Sequence, residues 1–173
     1  MIGEKGFDCG EMFRHACAFA DCADFCRERE LHLLYSQPQA VNSAFACEVY
    51  LKALLKWYDI EKKRVHKLKD LHEFLPAKVQ EHIHCRVLNE HGGWTNAFGQ
   101  NLLELVSNDF ARSRYLYEHD FSQQGSETTY VGFLTMYRNI LRDVCCQLFY
   151  GITWDEYKRG YDGRKQRQNN RDS

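Results

Sequence analysis

Residues 38–58, PQAVNSAFACEVYLKALLKWY, decide the fold. This stretch is apolar almost throughout, and its main polar side chains, Glu48, Lys52 and Lys56, follow one another at a spacing of four. That spacing places all three on one face of an α-helix. Because a helix that is apolar on its other faces belongs inside a bundle, we predict that this stretch is the central core helix. Residues 36–39 predict its start, since they combine the spacing of a capping box with a proline in the first turn.

The remainder of the chain also has helical periodicity. Apolar residues recur at intervals of three or four over residues 8–34, 68–75, 79–88, 98–117 and 130–149. The chain has 173 residues, of which 44% are hydrophobic and only two are proline, and this composition suits one helical domain with a substantial core. We therefore predict an all-α fold, an up-and-down helical bundle of four to five main helices plus short helices.

A basic segment closes the sequence. Residues 158–171 contain six lysines and arginines and one aspartate, whereas the net charge of the whole chain is −1. We therefore place a single helical domain at residues 1–157 and a basic, flexible tail at residues 158–173. The tail is interpreted either as a solvated terminus or as an arm that follows the phosphates of a nucleic acid.

Cysteine usage and hydropathy indicate the compartment. Most of the eight cysteines fall inside predicted helices, where cysteine packs as a small apolar residue. His82, His84 and Cys85 are close in sequence, but their spacing spreads them across a helix, and no CxxC or HExxH motif occurs. There is no N-terminal signal pattern and no apolar run of about 18 residues. We predict a reduced, cytoplasmic protein with no membrane span, no metal and no cofactor.

Three segments resemble a known family when they are taken in order. They are AFACEVYLKALL at 44–55, HKLKDLHEFLP at 66–76 and RSRYLYEH at 112–119. Together they resemble the HEPN (higher eukaryotes and prokaryotes nucleotide-binding) domain family, in particular its small stand-alone prokaryotic members, over about residues 8–150. The resemblance implies a helical bundle with two long antiparallel helices, often paired as a homodimer. Many members are metal-independent endoribonucleases of toxin–antitoxin or phage-defence systems, and others bind a nucleotide, an RNA or a partner protein without catalysis.

The ribonuclease signature of this family is an arginine followed, after four to six residues, by a histidine. Arginine can bind a scissile phosphate through two hydrogen bonds, and histidine can transfer a proton near neutral pH. Arg114 and His119 have this pattern, with four residues between them. The structural alternative is an ion pair between Arg114 and Glu118, with His119 favoured by the dipole at the end of a helix.

A second partial copy of the signature lies in the last predicted helix. There Arg138 and Asn139 match its start, but Asp143 stands where a histidine is expected. A carboxylate repels phosphate and needs a large rise in pKa before it donates a proton near neutral pH. The hypothesis that follows from the resemblance is a composite catalytic cleft, in which Arg114 and Arg138 bind phosphate, His119 transfers the proton and Asn139 belongs to the site as the partner of Arg138 in the Arg-Asn pair.

Other polar residues divide between the core and the surface. We predict that Glu48 and Lys52 join His66 and Glu118 in a partly buried structural network, with a catalytic role as the alternative. The basic segment 61–70 is interpreted as a surface turn, with phosphate contact as the alternative.

Three classes of function follow from these patterns. The leading hypothesis is a HEPN-like protein acting on RNA, as a metal-independent endoribonuclease of a toxin–antitoxin or phage-defence system. The alternative is a non-catalytic HEPN-like dimer that binds a nucleotide, RNA or a partner protein such as an antitoxin or a nucleotidyltransferase. The third class is a purely structural interaction module.

Overall fold

The computed structural model describes residues 4–28, 32–62, 64–90, 102–107 and 127–160. All regular structure within these ranges is helical, and no strand occurs there. The long helices are α1 (Glu4–Arg27), α2 (His32–Trp57), α4 (Ala77–Glu90) and α6 (Glu127–Tyr150). The short ones are α3 (Leu68–Glu73), the helical residues 102–107 (α5) and the helical residues 154–160 (α7). The predicted all-α helical bundle is confirmed.

Contacts along α1 and α2 give the direction of these helices. The Tyr50 hydroxyl donates to Cys17 Sγ at 3.2 Å, and Lys56 pairs with Asp8. Later residues of α2 therefore lie beside earlier residues of α1, so the two helices run antiparallel. Helix α6 packs against both, and Arg138 reaches the two helices from it.

The stretch that decides the fold is buried as predicted. Its buried apolar residues are Ala44, Ala46, Cys47, Tyr50, Leu51, Ala53, Leu54 and Leu55. They pack against α1 through Phe13 and against α6 through Ile140 and Leu141. Helix α2 is therefore the centre of the bundle, and its neighbours cover its apolar faces.

The predicted start of the core helix is wrong. Helix α2 begins at His32 rather than at residues 36–39, and Pro38 lies inside it. Proline removes one N–H, but the carbonyl that loses this donor belongs to Leu34, whose residue is 70% exposed and accessible to water. The Asn42 side chain adds a bond to the Pro38 carbonyl at 2.8 Å.

Two smaller differences concern the later helices. In α5 the buried residues are Leu102, Leu103, Val106 and Ser107, whereas Leu105, placed on the apolar side by its spacing, is 42% exposed. Helix α7 continues to residue 160, so its last three residues lie beyond the predicted domain limit at residue 157.

A tight connection positions α7 against the bundle. Helix α6 ends at Tyr150, and Gly151 follows in the left-handed conformation, with φ 70°, which costs glycine little. Thr153 and Glu156 then form a reciprocal capping box, with N–H to oxygen distances of 2.8 and 3.3 Å. Trp154 consequently packs against the side of α6, and its ring also contacts Phe13 of α1.

Candidate functional site

Arg138 lies at the junction of α1, α2 and α6 and is only 1% exposed. Its guanidinium has five N–H groups, and it makes five hydrogen bonds to protein oxygens. The acceptors are the Ala20 carbonyl (3.2 Å), Ser43 Oγ (3.3 Å), Asp24 Oδ1 (2.7 Å) and Asn139 Oδ1 (3.0 and 3.3 Å). This geometry favours a structural role for Arg138 over the predicted phosphate contact, because every donor already has an acceptor in the protein.

Asn139 links Arg138 to a second arginine. Its Oδ1 accepts from Arg138 and also from Arg142 Nη2, at 3.1 Å. One amide oxygen therefore holds two cations together on neighbouring turns of α6. We interpret Asn139 as the residue that positions both guanidinium groups.

Arg142 has far fewer partners than Arg138. It is 9% exposed, and its Nε is buried without a hydrogen-bond partner. Among the described residues, Asn139 Oδ1 is the one acceptor of its guanidinium. The guanidinium carbon lies 4.3 Å from the centre of the Trp154 ring, a cation–π geometry. Arg142 is thus a buried cation that is oriented by the protein but only partly satisfied by it.

Two further charges border Arg142. Burial raises the pKa of the Asp21 carboxyl, while the charges of Arg142, Arg138 and Lys158 oppose that rise. Asp21 forms no ion pair with Arg142 among the described contacts. The surface between α1 and α7 therefore brings the cations Arg142, Arg138 and Lys158 near the carboxylates of Asp21 and Asp24.

Asp143, which stands at the histidine position of the signature, connects three helices. Its Oδ2 pairs with Arg86 of α4 and accepts from Gln147 at 3.1 Å. Its Oδ1 accepts the backbone N–H of Trp154, the first residue of α7, at 2.7 Å. An aspartate at this position fixes α4 and α7 to α6, and this role explains the residue without any catalysis.

The structure brings together three members of the predicted polar network. Glu48 is 6% exposed, and its Oε1 accepts from both Lys52 Nζ and His66 Nδ1, each at 2.9 Å. Lys52 is mostly buried, while His66 is half-exposed. The carboxylate of α2 therefore ties the segment that precedes α3 to the core helix.

Three residues of the predicted site lie outside the described residues. They are Arg114, Glu118 and His119. The composite cleft and the fourth member of the Glu48 network therefore stay predictions. Within the described ranges no group of three or more metal-ligating side chains occurs.

A cavity of about 430 Å³ lies between α3, α4 and α6, and the sequence patterns did not indicate it. Its apolar lining is Ile83, Val87, Leu88, Leu103 and Phe133. We call it the His72 cavity, after His72 of α3, which lines it. Burial, helped by the nearby His84, lowers the pKa of His72 to about 4.

The polar groups of the His72 cavity form a small cluster. His72 Nδ1 and the Tyr137 hydroxyl are hydrogen-bonded at 2.8 Å. Burial raises the pKa of Tyr137 well above its ordinary value. Nε2 of His84 is buried and has no hydrogen-bond partner among the described residues. Sequence spacing gave no signal for this cluster, because its three members come from three different helices.

Comparisons of the chain with protein-family models, with curated proteins and with solved structures found no match. The HEPN resemblance therefore rests on its three sequence segments. None of the described helices combines the length and apolarity that crossing a membrane requires.

Proposed function

We propose that this protein is a HEPN-like helical protein that binds RNA without cleaving it, and that Arg142 contacts an RNA phosphate. The observation that carries the proposal is the contrast between the two arginines of α6. Arg138 donates all five of its N–H groups to protein oxygens, whereas Arg142 has one acceptor among the described residues. The choice of RNA as the ligand comes from the family resemblance.

The electrostatics support an anionic ligand at Arg142. A guanidinium that is largely removed from water needs several acceptors to offset its desolvation. Phosphate oxygens match the planar fork of arginine donors, and stacking on Trp154 fixes the orientation of that plane. Lys158 of α7 adds a second cation near the same surface.

The contacts of α6 support binding over cleavage at its own partial signature. Arg138 is held by Asp24 and Asn139, and Asp143 is held by Arg86 and by the first turn of α7. Neither residue of this partial signature is available to grip a scissile phosphate or to transfer a proton near neutral pH. Binding without catalysis is therefore the function that α6 supports best.

The test is RNA binding measured against salt concentration. The protein and its Arg142→Gln variant are titrated into a fluorescently labelled single-stranded RNA, with binding read as fluorescence anisotropy. We expect Arg142→Gln to weaken binding about tenfold and to reduce the salt slope by about one. Lys78→Gln is the matched control, because it removes the same charge from an exposed position on α4.

The outcomes separate the classes of function. If Arg142→Gln and Lys78→Gln weaken RNA binding equally, Arg142 contributes only through the overall charge of the protein and not through a specific contact. Binding that neither variant changes would reject Arg142 as the contact, and no binding at all would leave the structural interaction module. Circular dichroism and thermal melting of each variant check that the fold is retained.

The second candidate is a metal-independent endoribonuclease, which the spacing of Arg114 and His119 favours. RNA cleavage is measured in the presence of a chelator for the protein, Arg114→Ala and His119→Ala. Cleavage by the protein that both substitutions abolish would replace the non-catalytic proposal. Equal cleavage by all three proteins would assign the activity to a contaminant.

The biological setting follows from the family resemblance and is part of the proposal. We propose a cytoplasmic homodimer in a toxin–antitoxin or phage-defence system, with an antitoxin or nucleotidyltransferase as partner protein. Light scattering coupled to gel filtration measures the oligomeric state. A monomer at all concentrations would remove the dimer from the proposal.

A further inference from the structure

We propose that the His72 cavity binds a small, uncharged aromatic molecule that carries one hydrogen-bonding group. This inference is independent of the RNA proposal, because it concerns a different surface, between α3, α4 and α6. The cavity of about 430 Å³ lies within the usual size range of small-molecule sites. It also has the usual composition of such a site, with apolar walls and a few polar groups.

The walls favour an aromatic ligand. The Phe133 and Tyr137 rings are stacked, with centroids 5.7 Å apart and planes at 11°. The His72 ring lies 6.0 Å from that of Tyr137. Ile83 and Val87 of α4 supply an apolar lining. An aromatic ring gains both apolar burial and ring–ring contacts in such a space.

The interior polar groups favour a ligand with a hydroxyl or an N–H. His84 lines the cavity, and its Nε2 is buried and unpartnered among the described residues, so the ring must turn for this nitrogen to meet a ligand, either as donor or as acceptor. A hydroxyl matches both possibilities, since it carries a donor and two lone pairs. His72 and Tyr137 already satisfy each other at 2.8 Å, so His84 is the group that a ligand completes.

The rim disfavours anions. Lys69 is its one cation among the described lining residues, and Lys69 Nζ is paired with Glu104 at 3.0 Å and lies 4.0 Å from Glu73. Glu73 and Glu81 add two carboxylates to the lining. An anionic ligand therefore meets a net negative border, and this separates the cavity from the phosphate contact proposed at Arg142.

The experiment uses phenol as the probe, benzoate as its anionic counterpart and toluene as the counterpart without a hydrogen-bonding group. Binding to the full-length protein is measured by ligand-observed NMR titration. We expect phenol to bind at least about tenfold more tightly than benzoate. His84→Leu, of similar size but without the ring nitrogens, should weaken phenol and leave toluene unchanged.

A second variant tests the location. Val87→Phe places a larger apolar side chain in the cavity wall and should weaken phenol and toluene together. Leu105→Phe enlarges an exposed apolar side chain outside the lining and should change neither affinity. If Val87→Phe does not fold, the proposal is still tested by His84→Leu, which should weaken the binding of phenol and leave the binding of toluene unchanged. Benzoate bound as tightly as phenol, or phenol binding that His84→Leu leaves intact, would overturn the proposal.

Discussion

The lowered pKa of His72 makes the stability of the bundle dependent on pH. In the folded protein burial lowers this pKa from 6.5 to about 4, with a smaller effect from the nearby His84. In the unfolded chain the imidazole is in water and recovers its ordinary pKa. Between these two values the unfolded state binds more protons than the folded state, so acid favours unfolding.

The size of the effect follows from the two pKa values. A separation of about 2.5 units corresponds to about 3 kcal/mol in the free energy of unfolding. The full stability is present above pH 6.5, is lost as the pH falls towards 4, and does not change further below 4. From about pH 7.5 to about pH 5 the expected loss is about 2 kcal/mol.

The assay is urea unfolding followed by circular dichroism at a series of pH values. His72→Gln is the comparison, because glutamine does not titrate and still offers the Tyr137 hydroxyl a hydrogen-bond partner. Other charged groups around the cavity, Lys69, Glu73 and His84, are present in both proteins, and their titration is removed by subtraction. The difference between the two curves of unfolding free energy against pH therefore gives the contribution of the His72 imidazole.

We expect that difference to shrink as the pH falls from 7.5 to 5. If the two curves stay parallel through this range, the imidazole of His72 is not held in its neutral form, and the reasoning from its burial is refuted. If the difference grows on acidification, the sign of the pKa change is wrong. His82→Gln is a useful second control, because that side chain is exposed and lies outside the cavity lining.

Further predictions concern the polar junctions. Arg138→Met should lower the unfolding free energy by about 3 kcal/mol, because it leaves the buried acceptors without their donor; urea unfolding measures this. Asp143→Asn should cost about 1–2 kcal/mol by weakening the contact with α4 while keeping an acceptor for α7, and thermal melting measures it. Glu48→Gln should cost about 1–3 kcal/mol, also by melting, and unchanged stability would contradict the inferred importance of its ion pairs.

Much of the fold was predictable because it depends on local pattern. The apolar run at 44–55 has one polar stripe, and only the centre of a bundle buries such a helix on its other faces. The start of α2 was not predictable in the same way. Ser36 and Pro38 have the chemistry of a helix start, yet the helix begins at His32, since proline near a helix end removes only one hydrogen bond.

The candidate site was less predictable, because its contacts join residues far apart in the chain. The bond from Arg138 to Asp24 spans 114 residues, and the bond from His72 to Tyr137 spans 65. No periodicity encodes such pairs. The contacts of Glu48 with Lys52 and His66 were within reach of the sequence, because Lys52 follows Glu48 by one turn and His66 lies shortly after the end of α2.

The same distance in sequence explains why a sequence motif alone does not determine the chemistry of its residues. Read along the chain, Arg138, Asn139 and Asp143 form an incomplete ribonuclease signature. In the folded protein the first arginine cross-links three helices, and the aspartate fixes two more helices to α6. We expect that a histidine in place of Asp143 would not complete a catalytic pair here, because it would release α7 and still face an arginine whose donors are all engaged. In the function that we propose, phosphate recognition falls to Arg142, one turn further along, where the protein leaves a buried guanidinium with a single acceptor among its described neighbours.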